Sequence, residues 1–474
     1  MTVKTMRSPR PIAHTLLVTL TLALSACGGG SSSNGQTATN VWSYLSGAST
    51  VNARGMYGTQ DGPAAGNTPG AREAAASWTD AADDLWLFGG NGYDGAGNRS
   101  DLNDLWNYST ATGQWTWMSG TNTTGAAGQY GTLDVAAAAN TPGAREGAAS
   151  WRDRAGNLWL FGGDGFDAND AQGVLSDLWK FDPTAHLWSW VGGSSTAGAV
   201  GQVSTLGSSA ASNLPGARTE AAAWTDASGN LWLMGGDGLD INGKQGPLND
   251  MWEYSISTGK WALVGGSETI NAIGTYGTQG SPTPSNAPGA RYGAVAWVDP
   301  SGDLWLFGGY GLDSTGTFGE LGDLWEFNPS TGLWAWKTGA ATVQARGVYG
   351  SAGSPAAGNT PGSRAFAAGW ADAAGNLWLL GGYGLDASGT VGPMNDLWVY
   401  STATGQWTWA SGADVQGAKG VYAATGVSSG NEPGSRYGAA RWLDASGNLW
   451  FLGGNGLDAN GTHGALNDLW KYQP

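Results

Sequence analysis

The chain has one cysteine in 474 residues, Cys27, and three histidines, His14, His186 and His463. A single thiol excludes an intrachain disulfide framework, and so few imidazoles leave little from which to build a histidine metal centre. Charge is scarce at 12% of residues and positive charge scarcer still: 21 Lys and Arg stand against 37 Asp and Glu, a formal net charge of −16. Such a surface argues against nucleic acid as a partner. Long apolar runs are lacking apart from Leu16 to Ala26, which is too short to span a bilayer stably. That run follows Lys4, Arg7 and Arg10 and has the layout of a secretory leader.

Glycine (82) and tryptophan (28) abound instead, and abundant turn formers with a large aromatic complement predict an all-β chain and exclude general disorder after the leader. The residues are periodic. PGAR or PGSR begins at Pro69, Pro142, Pro215, Pro288, Pro361 and Pro433, every 73 residues with a last interval of 72. The tryptophans fall in the same register, as in Trp78, Trp86, Trp106 and Trp115 of the first full copy. A unit of this size is too long for a helical solenoid and fits a four-stranded propeller blade with enlarged loops.

In that copy we read strand a from Glu73 to Trp78, strand b from Leu85 to Phe88 ended by Gly89 and Gly90, strand c from Leu105 to Tyr108, and strand d from Trp115 to Met118. Strand b lacks polar alternation, as expected when both faces are covered. A basic residue opening strand a, an apolar run ending in two glycines, and an aromatic followed at fixed separation by Trp (Tyr108 and Trp115, Phe181 and Trp188) together resemble the kelch repeat, the blade unit also found in the central domain of galactose oxidase. The resemblance spans residues 41 to 474. It implies a six-bladed β-propeller with four antiparallel strands per blade. Trp42 to Gly47 matches a lone strand d and Trp470 to Tyr472 ends a strand c without its d, so the two are expected to pair and close the ring.

Leu24, Ser25, Ala26 and Cys27 resemble the lipobox of bacterial lipoproteins. The resemblance implies a signal peptide over 1–26, a lipidated Cys27 with a Gly/Ser tether over 27–40, and one propeller domain over 41–474, at the outer membrane or cell surface. Membrane contact is expected through the lipid alone.

Alternating strand directions put the long b to c loops (Asn91 to Asn103) and d to a loops (Gly120 to Thr141) on one face, where binding is expected. Arg72, Arg145, Arg218, Arg291, Arg364 and Arg436 form a ring there that either holds an anion bidentately or ties each blade to itself. Asp104 and its five equivalents are expected to accept backbone N–H bonds at the start of strand c, and Asp94 and its equivalents to stabilise turns, with calcium as the alternative at Asp240 and Asp458. Tyr57, Tyr349 and Tyr422, preceded by Arg54, Arg346 and Lys419, mark the sub-site expected to stack on sugar or a protein partner. The alternative is that these rings pack their loops onto the blade.

Galactose-oxidase-type copper chemistry is excluded, because Cys27 is placed at the tether and the topology sends His186 and His463 to opposite faces. No catalytic residue, cofactor or metal is assigned. The expected function is non-enzymatic binding of an envelope or extracellular protein or a glycan; the alternative is a carbohydrate mutarotase or epimerase at the channel mouth, with Glu220 and Glu320 as the carboxylates to test.

Overall fold

The computed structural model describes residues 40 to 474 except Ser429; the leader, Cys27 and most of the tether lie outside the described residues. Every regular element among them is a β-strand. Each sequence copy forms an antiparallel sheet, and this repetition of four- and five-stranded sheets is consistent with a β-propeller.

In the first full copy the inner strand Ala76–Thr79 pairs with Leu85–Phe88, which pairs with Leu105–Ser109, which pairs with Gln114–Ser119. The middle strands are buried throughout, with Leu85 and Leu87 fully enclosed and Trp86 and Phe88 nearly so. Their apolar character has a direct cause, since neighbouring sheets cover both faces. Ala76, Trp78, Trp86 and Phe88 of one copy pack with Leu158, Leu160, Trp179, Phe181 and Trp188 of the next. The first and last copies meet in the same way: Leu85, Leu87 and Trp106 share a cluster with Trp442, Trp450 and Leu469. A buried indole removes roughly 200 Å² of surface from water, so the registered tryptophans dominate the burial that opposes chain entropy.

The two glycines end strand b in the first and fourth copies, at Phe88 and Phe307, but not in the other four. In the second copy Leu158–Phe166 runs through Gly162 and Gly163 with a bulge and pairs with Gln172–Asp182 well beyond it. Both glycines have positive φ, 64° and 99°, and a Cβ on Gly162 would stand 2.6 Å from the Arg218 carbonyl oxygen. Glycine is required there by backbone approach as well as by conformation. The segment from Asn91 to Asn103, expected as a loop, is mostly a hairpin, Asn91–Tyr93 with Arg99–Asp101. It also pairs with the short strand Arg72–Glu73. Asp94 closes its tip by accepting from the backbone N–H of Ala96 and Asn98 on one oxygen and of Thr124 on the other.

The d to a loops do more than decorate the rim. Ala64 forms a bridge with Trp115, and Asn67 Nδ2 donates to the carbonyls of Gly62 (2.9 Å) and Trp115 (3.1 Å). Each such loop thus covers the outermost strand of its sheet, where an uncovered edge would invite pairing with another chain. Val41–Ser46 pairs antiparallel with His463–Gln473, from Val41 opposite Gln473 to Tyr44 opposite Trp470.

Candidate functional site

The recurrent Arg, Asp and Tyr residues converge, but on one another. Arg72 meets Asp104 with two parallel bonds, Nη1 to Oδ1 at 2.6 Å and Nη2 to Oδ2 at 2.8 Å, and donates again to the carbonyls of Gly70 and Gly89. Tyr57 and the Trp106 indole each donate to Asp104 Oδ2 at 2.7 Å. The same pairing joins Arg145 to Asp177, Arg218 to Asp250, Arg291 to Asp323, Arg364 to Asp396 and Arg436 to Asp468. All six guanidinium groups are buried. Burial works against the Arg364 charge, but Asp396 beside it more than offsets this and holds its pKa up; burial, then Asp396, raises that of Tyr349.

This corrects two expectations. Arg72, Arg145, Arg218, Arg291, Arg364 and Arg436 present no face to an outside anion, because each is buried and bonded to the carboxylate of its own copy. Tyr57, Tyr349 and Tyr422 point into the sheet and bond Asp104, Asp396 and Asp468, so they do not offer their rings to sugar. The Asp series accepts mainly from side chains, not backbone N–H groups. Of the remaining candidates, Arg54, Arg346 and Lys419 are exposed on the first, fifth and sixth d to a loops, beside the exposed apolar Met56, Val348 and Val421.

The feature that spacing concealed lies on the axis. Ala74, Gly147, Glu220, Gly293, Phe366 and Gly438 all have φ between 54° and 65°. Their backbones bond head to tail in a closed circle. Ala74 N–H donates to Gly438, Gly438 to Phe366, Phe366 to Gly293, Gly293 to Glu220, Glu220 to Gly147 and Gly147 to Ala74, all within 2.7–2.9 Å. Three positions are glycine, which takes this conformation freely; at Ala74, Glu220 and Phe366 a side chain is kept at a cost of about 1–2 kcal/mol each. Crowding bears on two of the three glycines: a Cβ at Gly147 would clash with Thr219 Oγ1 and stand 3.0 Å from Glu220 Oε1, and one at Gly293 would meet the Phe366 ring at 2.5 Å, whereas at Gly438 it would meet nothing closer than 3.5 Å.

The ring encloses a cavity of about 210 Å³ walled by Ala75, Ala148, Ala221, Ala294, Ala367 and Ala439. Glu220 and Arg441 line it, and among the described residues neither charged group has a hydrogen-bond partner. Burial, then repulsion from Glu73, pushes the Glu220 carboxyl up to about 7. Burial lowers the Arg441 pKa, with Glu220 opposing.

The residue after each PGAR or PGSR arginine directly precedes a ring residue, and here the copies differ: Glu73, Glu146, Thr219, Tyr292 and Tyr437 are partly exposed and Ala365 is buried. One side is acidic. Burial, followed by Asp101, Glu220, Glu73 and Asp164, pushes the Glu146 carboxyl up to about 8. The other side is aromatic: Tyr292 lies 5.7 Å from Tyr310 and 6.1 Å from Phe366, Phe366 lies 6.3 Å from Tyr437, and Tyr437 lies 5.5 Å from Tyr383. Glu320, named from the sequence, is buried at the end of the Phe318–Glu320 strand, opposite Tyr310. Sequence reasoning singled out Glu220 but missed Glu73, Glu146, Tyr292, Phe366 and Tyr437; the only signal was that they vary where their neighbours repeat.

No family model matches the chain, and no curated protein sequence matches it.

Proposed function

We propose that the chain is a six-bladed, kelch-type β-propeller, tethered to the bacterial envelope through Cys27, that binds carbohydrate at the channel mouth on its long-loop face without turning it over. Six blades closed on themselves are supported by the circle of backbone bonds, by the cluster shared between first and last copies, and by the pairing of Val41–Ser46 with the final strand. The observation that carries the function is the mouth itself, where an aromatic arc and a carboxylate arc lie at a level where the copies differ. Aromatic faces stack on sugar rings while carboxylates accept from hydroxyls, and a few polar groups in a concave, partly apolar site suffice for specificity.

Saturation-transfer NMR of the full-length protein with an oligosaccharide panel tests this. Replacing Phe366 and Tyr437 with Ala should weaken binding about tenfold or more, whereas Ala at Arg54, Arg346 and Lys419 should not. The reverse sensitivity would move the ligand to the outer rim and favour a protein partner. A second reading, a mutarotase or epimerase, is favoured by one observation: Glu220, pushed up to about 7 and facing a cavity, is suited to general acid/base work at neutral pH. Anomer interconversion by the wild type that disappears in Glu220→Gln would establish it over simple binding.

A further inference from the structure

The carboxylates of the mouth are crowded beyond what the protein's own cations neutralise. Glu73 is met by Arg99 at 2.6 Å and by Asn455 Nδ2 at 2.9 Å. Glu146 is surrounded by further acids, and Glu220 faces Glu73 with no hydrogen bond of its own among the described residues. Arg441, on the strand Ala440–Leu443, lines the same cavity and its charge partly offsets the effect of burial and of Glu73 on the Glu220 carboxyl, but it forms no ion pair with it. An independent observation stands at the seam of the two arcs. Asn455, 8% exposed and in register with Tyr437, has a buried Oδ1 with no donor. The amide cannot simply flip, because that would set its oxygen against the Glu73 carboxylate. An orphan acceptor of this kind costs stability until a donor is supplied.

Carboxylates in excess of the cations beside them, an unpaired acceptor and the faces of Tyr292, Phe366 and Tyr437 ask for the same chemistry. A neutral polyol satisfies hydrogen bonds but not the charge; a bare metal ion satisfies the charge but makes no use of the rings; a protonated amine on a carbon skeleton does all three. We propose that the mouth selects an amine-bearing ligand, of which an amino sugar is the carbohydrate form, with its ammonium group among Glu73, Glu146 and Glu220 and its ring against Phe366 and Tyr437. This rests on the carbohydrate-binding reading above and narrows it.

Calorimetric titration of the full-length protein at pH 7.5 should compare glucosamine with glucose, and chitosan oligosaccharides with chitin oligosaccharides of the same length. The amines are expected to bind at least tenfold more tightly than their neutral counterparts and to release protons, seen as a buffer-dependent heat, because a cation favours ionised carboxylates. Glu220→Gln and Glu146→Gln should each abolish most of that preference while retaining weak binding of the neutral sugar. Equal affinity for amine and neutral sugars overturns the cation inference and leaves carbohydrate binding standing. Absence of binding by every probe overturns both. The two variants test different positions, and unchanged far-ultraviolet circular dichroism of either one separates lost recognition from lost fold.

Discussion

Asp104 takes bonds from an arginine, a tyrosine and a tryptophan of its own copy, and its two oxygens are thereby saturated without water. Removing such a carboxylate strands a buried guanidinium, so Asp396→Ala is expected to cost about 3–5 kcal/mol in urea denaturation. Tyr349→Phe removes one donor to the same charged acceptor and should cost about 1.5–3 kcal/mol. Val203 stands where five copies have Tyr, so Arg218 and Asp250 form the natural comparison for that loss. The recurrence of Arg, Asp and Tyr was legible in the sequence; that they meet was not, because equal spacing in every copy says nothing of which series touch. A different residue-scale consequence arises at Glu146 and Glu220, with carboxyls pushed up to about 8 and about 7 from the ordinary 4.5 of a glutamate. Between those values the folded protein holds more protons than the unfolded chain, so stability falls as pH rises from about 4.5 towards 8. The melting temperature should decline over that window in calorimetry, and Glu146→Gln should flatten the decline.

Strand order and the apolar character of strand b followed from pattern, but lengths did not. The double glycine resembles a stop because glycine usually punctuates, and it is one in the first and fourth copies; in the other four it is a bulge pressed against the next copy's backbone, and the strand continues. The d to a loops were expected to serve the rim because long loops commonly bind, whereas among the described residues five of them also bridge to the outermost strand of a sheet, as Ala64 does to Trp115. Neighbouring elements are also stitched by indoles. Trp78 Nε1 donates to the carbonyl of Trp159, and Trp151, Trp224, Trp297 and Trp442 repeat this towards the next copy. Trp370 Nε1 is buried without a partner. Substituting Phe at Trp442 and at Trp370 removes similar volume, so their difference isolates the bond: Trp442→Phe should be about 1 kcal/mol the more destabilising. If the two are equal in denaturation, the indole bonds contribute nothing to the seams.

At the scale of the whole molecule, closure decides whether the mouth exists at all. The acidic and aromatic arcs come from different copies, and Glu73 at one end meets Asn455 at the other, so the proposed site is assembled only if first and last copies stay together. The strand Val41–Ser46 is the covalent means. Trp42 and Tyr44 pack with Trp378, Phe451, Trp470 and Tyr472, and the backbone pairs with the last long strand. Without it, His463–Gln473 becomes an uncovered edge flanked by exposed aromatic rings, a combination that invites pairing between chains. A protein lacking residues 41–46 is therefore expected to retain strand content by circular dichroism but to form dimers or larger species in size-exclusion chromatography, as one chain's edge finds another's. Adding the missing segment as a separate peptide should return it to the monomer if the strand acts by covering that edge. A truncated chain that stays monomeric and melts like the parent would show that the seam between first and last copies holds by side-chain packing alone, and the tether could then be moved without disturbing the mouth.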